Sequence, residues 1–594
     1  MAELTVPDVI HRVPPLVEEA RRFLKRCRRT TKPRVTVWRG PRRGFGAVYP
    51  GSFDPWTLAH EAILRAAMRR VKGPVLVLLD LETIDKPSHA APLAERLAVL
   101  ALHFAEDPRV AIGVSTHGRF LEKARALGRA TFVLGEDTHE RVLAPRYYED
   151  PERELAELGR RARFLVAPRG GRRRGDLALS RVDQARSATL ARRAFAAGRL
   201  PWDQLAPDVL LACWQLRLYG VKRLMPVWVV TAFLEDQAKL LLVKRGQRVG
   251  TYRGAWSGVS GYLDWPVKWL RTLVDCGPGD WALRQVLKEV QEETGIAPRS
   301  LRLVNAGREL VATDLAHRRD WRICPFLFRT PLGVVPKLDW ENTACEWFRP
   351  WEVSELSTVP RLMEALERAC GGWRAWFARH LGELARDRIA GAISIASRFL
   401  DLAADAWALG ARGLVVPGAR RLESAHPMAP LVWLRTRLQV GRAPLAVQRE
   451  LGAQCGALQR SARARLARAC AIATYGFSST VLVALIRSGK AVTVLPDPDG
   501  HGRRLHANLV GNGVSSRLAR RPQRDAVMVV GADSVLPDGS IINARGTANA
   551  IREAGLPVVV LAQRCKFIDK TPPLRRGFER VPAELLKDAE FITG

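Results

Sequence analysis

The stretch GAVYPGSFDPWTLAHEAIL, residues 46–64, decides the fold of the first third of the chain. Its apolar start predicts a short buried strand. The turn Gly51-Ser52-Phe53 then leads into a helix that carries Thr57 and His60 at i and i+3. The amides of a helix N-terminus attract anions, and an imidazole beside them adds a hydrogen-bond donor. The segment therefore predicts a triphosphate site in which positioning and charge stabilisation supply the chemistry.

Short apolar runs alternate with helical patterns through residues 44–169, which predicts a parallel, Rossmann-like α/β sheet. Three later segments carry polar and basic side chains: DLETIDKP (80–87) in a loop, FVLGEDTHERVLAPRYY (132–148) at a strand end and RSATLARRAFAAGRLP (186–201) at a helix start. Such positions suit nucleotide and phosphate groups. The candidate nucleotide- or phosphate-binding residues of this part are Gly51, Ser52, Phe53, Lys86, Gly135, Asp137, Thr138, Ser187, Thr189 and Arg192.

This strand-loop-helix resembles the (H/T)xGH signature of the nucleotidylyltransferase superfamily, and the three later segments follow in the order of that family. The resemblance implies transfer of a nucleotidyl group from an NTP, ATP or CTP, to a phosphorylated small-molecule acceptor. It also implies catalytic roles for Thr57 and His60 and places the leaving diphosphate at the helix start near Ser187. Ala59 departs from the family, which has Gly at that position.

A second candidate site lies in the acidic segment KEVQEETGI, residues 288–296. Glu289, Glu292 and Glu293 stand at i, i+3 and i+4, so a helix places all three carboxylates on one face. Carboxylate oxygens favour Mg²⁺ or Mn²⁺ over zinc, and such a cation polarises a diphosphate and activates water. The pattern predicts these three residues as both metal ligands and catalytic residues.

This segment resembles half of the Nudix box, which implies hydrolysis of a nucleoside diphosphate derivative. The stretch VGTYRGAWSGVSGYLD, residues 249–264, is similar to the Gly-rich strand that precedes the box. An insertion around WPVKWLRTLVDCGPG interrupts the box after Gly261. Asp280 replaces the usual Glu, and Lys288 replaces an Arg and so loses its bidentate geometry.

A third candidate site lies in residues 527–567, where a strand ends in GAD and Asp533 supplies an acid suited to proton transfer. The segment resembles the family that joins the alpha, beta and delta subunits of translation initiation factor 2B to sugar-phosphate isomerases. The resemblance implies a catalytic role for Asp533 and phosphate binding by Asn543, Gly546 and Thr547. Gly476 stands where the isomerases carry their cysteine, which favours a sugar-phosphate-binding or oligomerising module over an isomerase.

The composition narrows the class of protein. With 47% hydrophobic and 26% charged residues, the chain of 594 residues is predicted to be globular and to build several cores. No apolar run is long enough for a membrane span and no secretory signal is visible, so we expect a cytoplasmic protein. Nine cysteines without a CxxC pair support neither a disulfide framework nor structural zinc. The net charge of +34 favours anionic ligands such as nucleotides, and RNA remains an open partner without a supporting motif.

The sequence thus predicts a multidomain α/β protein. We expect a basic N-terminal extension (1–43), a Rossmann-like nucleotidyltransferase domain (44–222) and an α+β Nudix domain (223–370). A helical lead-in and a Rossmann-like initiation factor 2B-type domain (371–594), which in that family forms oligomers, complete the chain. The predicted function is nucleotide metabolism by nucleotidyl transfer and Mg²⁺-dependent hydrolysis. The alternative is a non-catalytic regulatory protein that senses nucleotides or associates with RNA and the translation machinery.

Overall fold

A computed structural model gives the arrangement of most of the chain; it describes residues 4–27, 31–84, 88–168, 176–387, 390–569, 574 and 577–593. Internal contacts divide the chain into two compact units. The first unit comprises Met1–Thr231, Ser260–Glu292 and Glu309–Cys324, and the second comprises Ala232–Val259, Glu293–Arg308 and Pro325–Gly594. Within the described ranges, no helix has both the length and the apolar composition needed to cross a bilayer.

The first unit is built on a Rossmann-like sheet. Its described strands follow the spatial order Val35–Arg39, Val110–Ser115, Val75–Asp80, Ala47–Pro50, Ala130–Gly135 and Ala162–Ala167. All neighbours are parallel except the first strand, which pairs antiparallel with the second. The central strands are buried on both faces, as expected for a parallel sheet covered by helices. The carboxyl ends of the five parallel strands therefore meet at one edge, where a ligand site is expected.

Helices connect these strands or follow the last of them. They are Leu58–Met68, Leu93–His103, Phe120–Leu127, Glu136–Val142, Pro151–Arg161, Arg181–Ala185, Ala188–Ala196 and Pro207–Gln215. In the predicted N-terminal extension, the helix Val6–Arg26 starts with a capping box of Thr5 and Asp8. Its apolar residues are buried, and the strand Val35–Arg39 extends the sheet. Much of the extension is thus part of the first unit's core.

The predicted Nudix segment is shared between the two units, because the strands Met225–Asp236 and Arg319–Arg329 continue from one into the other. In the first unit, Leu310–Asp314 pairs antiparallel with the start of Arg319–Arg329. The same unit holds Leu270–Cys276, a helix formed by the insertion, and most of the acidic helix Trp281–Thr294. In the second unit, Lys239–Arg245 pairs with Asn342–Phe348, Trp256–Ser257 and the end of Met225–Asp236, and Arg302–Ala306 pairs with the end of Arg319–Arg329.

The remainder of the second unit follows the predicted order of helices and then an α/β sheet. The lead-in helices are Leu362–Ala369, Trp373–Arg386, Ala392–Ala408, Val415–Ala425, Ala429–Gln439 and Pro444–Leu466. The parallel strands that follow lie in the order Ser516–Leu518, Val492–Leu495, Ala471–Tyr475, Ala526–Gly531, Val558–Ala562 and Glu590–Thr593. Their helices are Ser479–Ser488, His501–Gly511 and Thr547–Ala554, and a small antiparallel sheet holds Ser534–Val535, Ile541–Ala544 and Phe578–Val581.

Candidate functional site

The first candidate site centres on Thr57 and His60 at the start of the helix Leu58–Met68. The Thr57 hydroxyl accepts a hydrogen bond from the His60 backbone N–H (3.3 Å), and the Thr57 backbone N–H donates to Nδ1 of the His60 ring (3.0 Å). These reciprocal bonds form a capping box with His at the third helical position. Because Nδ1 accepts a hydrogen bond from the Thr57 N–H, the neutral imidazole carries its hydrogen on Nε2. The capping box therefore fixes the ring as a donor through Nε2.

Aromatic packing holds the same ring. The ring centroids of Phe53 and Trp56 lie 5.2 Å and 5.4 Å from that of His60, and both aromatic side chains are buried. The Phe53 ring in turn lies against Gly51, where an added Cβ would come within 2.7 Å of Cζ. Gly51 is therefore required for the turn to pack against Phe53.

The predicted residues line one cavity of about 420 Å³. Of those named from the sequence, the lining includes Gly51, Ser52, Phe53, Thr57, His60, Gly135, Thr138, Ser187, Thr189 and Arg192. Asp137 is exposed on the helix Glu136–Val142 and does not line this cavity, because its position turns it to solvent. Lys86 lies outside the described residues. Ala59 lines the cavity as well.

Arg192 and Ser187, which the sequence predicts as phosphate-binding residues, also make hydrogen bonds within the wall of this cavity. Arg192 donates to the backbone carbonyl of Asp54 and to the Thr189 hydroxyl, so the guanidinium links the two helix starts. The Ser187 hydroxyl caps its own helix by accepting from the Leu190 N–H (3.2 Å). The guanidinium therefore enters the cavity from a fixed position.

Sequence reasoning missed several charged residues of this cavity. Arg119, Arg141 and Arg186 line it together with Arg192. Four guanidinium groups around one cavity favour a polyanionic ligand such as a triphosphate. Because they lie on different helices and loops, no local motif in the sequence marks them as a set.

The second candidate site lies on the acidic helix Trp281–Thr294. The Glu289 carboxylate faces Gly261, where an added Cβ would meet its carbon at 2.0 Å, and it accepts a hydrogen bond from Gln285 Nε2 (2.7 Å). The pKa of Glu289 is raised to about 7, chiefly by burial and also by the charges of Glu292 and Asp264, which together outweigh the Gln285 hydrogen bond and the charge of Lys288. A buried carboxylate among other acids is the electrostatic setting that a cation stabilises.

Lys288 and Asp264 complete this face of the helix. Lys288 Nζ donates to Asp264 Oδ2 (2.8 Å) and lies 3.9 Å from Glu292 Oε2. The Lys at the position of the usual Arg thus still holds two carboxylates by its charge. Asp264 was not predicted as a site residue, although it ends the Gly-rich strand segment.

Glu293 is placed differently from its two neighbours. Its carboxylate is buried and accepts a hydrogen bond from Asn342 Nδ2 (2.7 Å). Among the described residues, no group of three His, Cys, Asp or Glu side chains is arranged to hold a metal ion. Glu289, Glu292 and Asp264 offer the carboxylate oxygens that a hard divalent cation prefers, but the three are not gathered around one point in the described residues, and Gly261 leaves the space that the Glu289 carboxylate occupies.

In the third candidate site, the predicted phosphate-binding side chains form hydrogen bonds with nearby backbone groups. Asn543 Nδ2 donates to the Gly531 carbonyl (2.8 Å), and the buried Thr547 hydroxyl donates to the Ala544 carbonyl (2.6 Å). Gly546 has a positive φ, and an added Cβ would lie 2.2 Å from the hydroxyl oxygen of Tyr475. Asp533 is half-buried, and its backbone N–H donates to the Ile542 carbonyl. These bonds order the region around Asp533.

A carboxylate of the chain itself lies over the N-terminus of the helix His501–Gly511. Asp497 accepts hydrogen bonds from the backbone N–H groups of Asp499 (3.1 Å), His501 (2.9 Å) and Gly502. Amides at a helix start otherwise bind phosphate. In this loop the Asp497 carboxylate takes the place of an external anion.

Three family models match three separate stretches of the chain. The cytidylyltransferase-like family matches residues 48–178, the NUDIX domain matches residues 225–368, and the initiation factor 2 subunit family matches residues 440–590. The predicted three-part resemblance is therefore confirmed, as is the predicted multidomain α/β fold class. The first two matches support an enzyme of nucleotide metabolism.

Curated and solved relatives resemble parts of the chain. A probable nicotinate-nucleotide adenylyltransferase of Xylella fastidiosa is 28% identical over 86 residues, which are 14% of this chain and 37% of that protein. The chain thus spans little more than a third of that relative. The structure of translation initiation factor eIF-2B from Pyrococcus horikoshii is 23% identical and covers 37% of this chain and 94% of its own, with a TM-score of 0.32. A NUDIX hydrolase from Nitrosomonas europaea is 21% identical and covers 25% and 89%, with a TM-score of 0.20.

Proposed function

We propose that the first cavity transfers a nucleotidyl group from ATP or CTP to a phosphorylated small-molecule acceptor. The observation that carries this proposal is the capping box that fixes the His60 ring with Nδ1 as acceptor, beside Arg192 in a cavity lined by arginines. A donor imidazole and guanidinium groups stabilise negative charge on transferring phosphoryl oxygens.

In this reaction, an oxygen of the acceptor's phosphate forms a bond to the α-phosphorus of the NTP. The bond from that phosphorus to the bridging oxygen breaks, and diphosphate leaves with the electron pair. His60 Nε2–H donates to an α-phosphate oxygen, and Thr57 holds the ring. Arg192 and the helix start at Ser187 bind the leaving diphosphate. Positioning and charge stabilisation carry the catalysis.

Diphosphate release from ATP and CTP, measured with a panel of phosphorylated acceptors, tests this proposal. Wild type should release diphosphate only when an acceptor is present, and His60→Ala should lower the rate at least about 100-fold. His317→Ala is the matched control, because His317 is exposed and lies outside the cavity lining. Acceptor-dependent release that His60→Ala leaves unchanged would contradict the proposed role of the cavity.

We further propose that the acidic helix hydrolyses a nucleoside diphosphate derivative with Mg²⁺ or Mn²⁺. Glu289 and Glu292 would hold the cation, which when bound polarises the diphosphate and lowers the pKa of attached water. Lys288 keeps Asp264 and Glu292 close to the helix face. Glu293 supports the helix through Asn342, so its part in the site is to fix the position of that face.

Hydrolysis of a panel of nucleoside diphosphate sugars and dinucleotides with Mg²⁺ tests the second site. Glu292→Gln removes one charge at an exposed ligand and should lower the rate at least about 100-fold. Glu355→Gln is the control, since Glu355 is an exposed acid of the same family-matched region. Equal rates in the two variants would refute the assignment of Glu292.

For the C-terminal domain we propose self-association without isomerase activity. Asp497 already satisfies the amides at one helix start, and Asn543 and Thr547 are bound to backbone carbonyls. These bonds occupy groups that would otherwise bind a sugar phosphate, and self-association is carried over from the resemblance to the initiation factor 2B subunits. Sedimentation of the full chain should give a species larger than a monomer, whereas a monomer at micromolar concentration would contradict the proposal.

A further inference from the structure

A buried glutamine behind the first cavity is bonded to both of the helix starts that the proposed transfer uses. Gln204 lies in a turn and is 7% exposed. Its backbone carbonyl accepts a hydrogen bond (2.9 Å) from the N–H of Leu58, the first residue of the helix that carries His60. Its side-chain Oε1 accepts a hydrogen bond (2.9 Å) from the N–H of Ser187, which caps the other helix. One residue therefore links the two helix starts.

The orientation of the Gln204 amide follows from its two partners. A backbone N–H can only donate and a carboxylate can only accept, so the amide oxygen faces Ser187 and the amide nitrogen faces Asp203. Nε2 donates to Asp203 Oδ2 (2.9 Å). Because both ends of the amide are bonded, the side chain is held in one orientation and keeps Ser187 at a fixed distance from the other helix start.

Two guanidinium groups also link these segments, but both line the cavity. Arg186 donates to the Asp203 carbonyl (2.8 Å), and Arg192 donates to the Asp54 carbonyl. A phosphate group that enters the cavity competes for both guanidinium groups. Gln204 lies outside the cavity lining, so a bound ligand leaves its hydrogen bonds in place.

We infer that Gln204 is a positioning residue that sets the separation between the α-phosphate site at His60 and the β- and γ-phosphate site at Ser187. This inference rests on the proposed nucleotidyl transfer, in which one NTP contacts both helix starts. The bonds of Gln204 are formed before the ligand enters, so the two sites are preorganised for one triphosphate. Two sites held at the right separation bind a ligand that spans them more tightly than either site alone. Loss of the link should therefore weaken only ligands that reach both helix starts.

The test compares ligands of different reach by titration calorimetry of the full chain in EDTA, so that no divalent cation recruits them to the acidic helix. α,β-Methylene ATP and α,β-methylene CTP span both sites and resist cleavage between the α- and β-phosphates. AMP and CMP reach only the His60 side, and diphosphate reaches only the Ser187 side. Gln204→Met keeps the volume but removes the acceptor, so it should weaken binding of the methylene analogue at least about tenfold. Binding of the monophosphate and of diphosphate should stay near wild type.

The outcomes separate this inference from the proposed transfer. Equal affinity of wild type and Gln204→Met for the methylene analogue would overturn the role of Gln204 while leaving the NTP site intact. Equal weakening of all three kinds of ligand would also overturn it, because it would show a merely structural role. A methylene analogue that fails to bind wild type would overturn the proposed NTP site and the inference together.

An exchange of donor and acceptor provides a second form if Gln204→Met unfolds. In Asp203→Asn/Gln204→Glu, the carboxylate at 204 accepts from the Ser187 N–H and the amide at 203 donates to it, so affinity for the analogue should return towards wild type. Gln204→Glu alone places two carboxylates side by side and should bind the analogue weakly. Gln459→Met is the control, since Gln459 is a buried glutamine of the second unit that donates to the Thr480 carbonyl (3.2 Å). A double variant that binds as weakly as Gln204→Glu would contradict the role of the bond to Ser187.

Discussion

Replacing Gly261 with Ala should stop hydrolysis at the acidic helix while the chain stays folded. The added Cβ would lie 2.0 Å from the Glu289 carboxyl carbon and 2.2 to 2.3 Å from its oxygens, whereas ordinary contact begins at 3.4 Å. The carboxylate must therefore move by about 1.4 Å, and misplacement of about 1 Å costs on the order of 100-fold in rate. Because the displaced atoms end a flexible side chain, the lost Gln285 bond should cost only about 1 kcal/mol of stability.

The assay is hydrolysis of the best nucleoside diphosphate substrate with Mg²⁺, together with thermal melting and acceptor-dependent diphosphate release. Gly250→Ala is the matched control, because no atom lies within 4 Å of an added Cβ there. Hydrolysis should fall at least about 100-fold in Gly261→Ala and stay near wild type in the control. If Gly261→Ala keeps half of the wild-type hydrolysis rate, the placement of the Glu289 carboxylate against Gly261 is wrong.

Three further predictions concern other parts of the chain. Thr57→Val removes the hydroxyl that caps the helix and lies 3.1 Å from His60 Nδ1, while the backbone N–H bond to that nitrogen remains, so stability should fall by about 1 kcal/mol and diphosphate release about tenfold; release at the wild-type rate would count against the role of the hydroxyl. The pKa of His103 rises to about 10, because the carboxylates of Asp208 and Glu61 outweigh the effect of its burial. The charged His103 therefore stabilises the fold fully below about pH 6.5, and this stabilisation is lost progressively as the pH rises through 10. His103→Gln should therefore lose about 3 kcal/mol in urea unfolding at pH 6 and much less at pH 10.5, and a pH-independent loss would disprove this. In Asp497→Ala, inorganic phosphate should raise the melting temperature although it does not in wild type, and no shift would argue against an anion site there.

The order of the three folds was predictable, because each segment has its own hydrophobic periodicity and its own turn residues between elements. The run VLVLLD gave a strand buried on both faces, and the Thr57–His60 spacing gave the start of a helix with both groups on it. The Ala- and Leu-rich region before residue 470 is helical as predicted. Local pattern is sufficient for these features, because they depend on neighbours within one element.

Contacts between distant segments were not predictable. The pairing of Asp80 with Lys123 joins residues 43 positions apart, and neither residue belongs to a motif. The N-terminal residues read as a basic extension, although the apolar face of Val6–Arg26 is buried and Val35–Arg39 adds a strand. An apolar helix face predicts that this face will be buried, but only the folded structure shows which elements cover it.

The acidic helix shows the same limit within a single motif. The i, i+3, i+4 spacing brings Glu292 near Glu289, where its charge helps to raise the pKa of the Glu289 carboxyl. The same spacing does not reveal that Glu293 turns to Asn342, which lies 49 positions further along the chain. A periodic pattern sets the face of a helix, whereas the rotamer of a side chain depends on its partners.

The most direct measurement is oxygen-18 incorporation during turnover of ATP or CTP with a phosphorylated acceptor in labelled water. Attack by the acceptor's phosphate at the His60 cavity leaves water oxygen out of both products, so mass spectrometry should find an unlabelled adduct and unlabelled diphosphate in equal amounts. His60→Ala should abolish both. Nucleoside monophosphate labelled at the α-phosphorus, with no adduct, would show that water is the attacking group and would contradict nucleotidyl transfer.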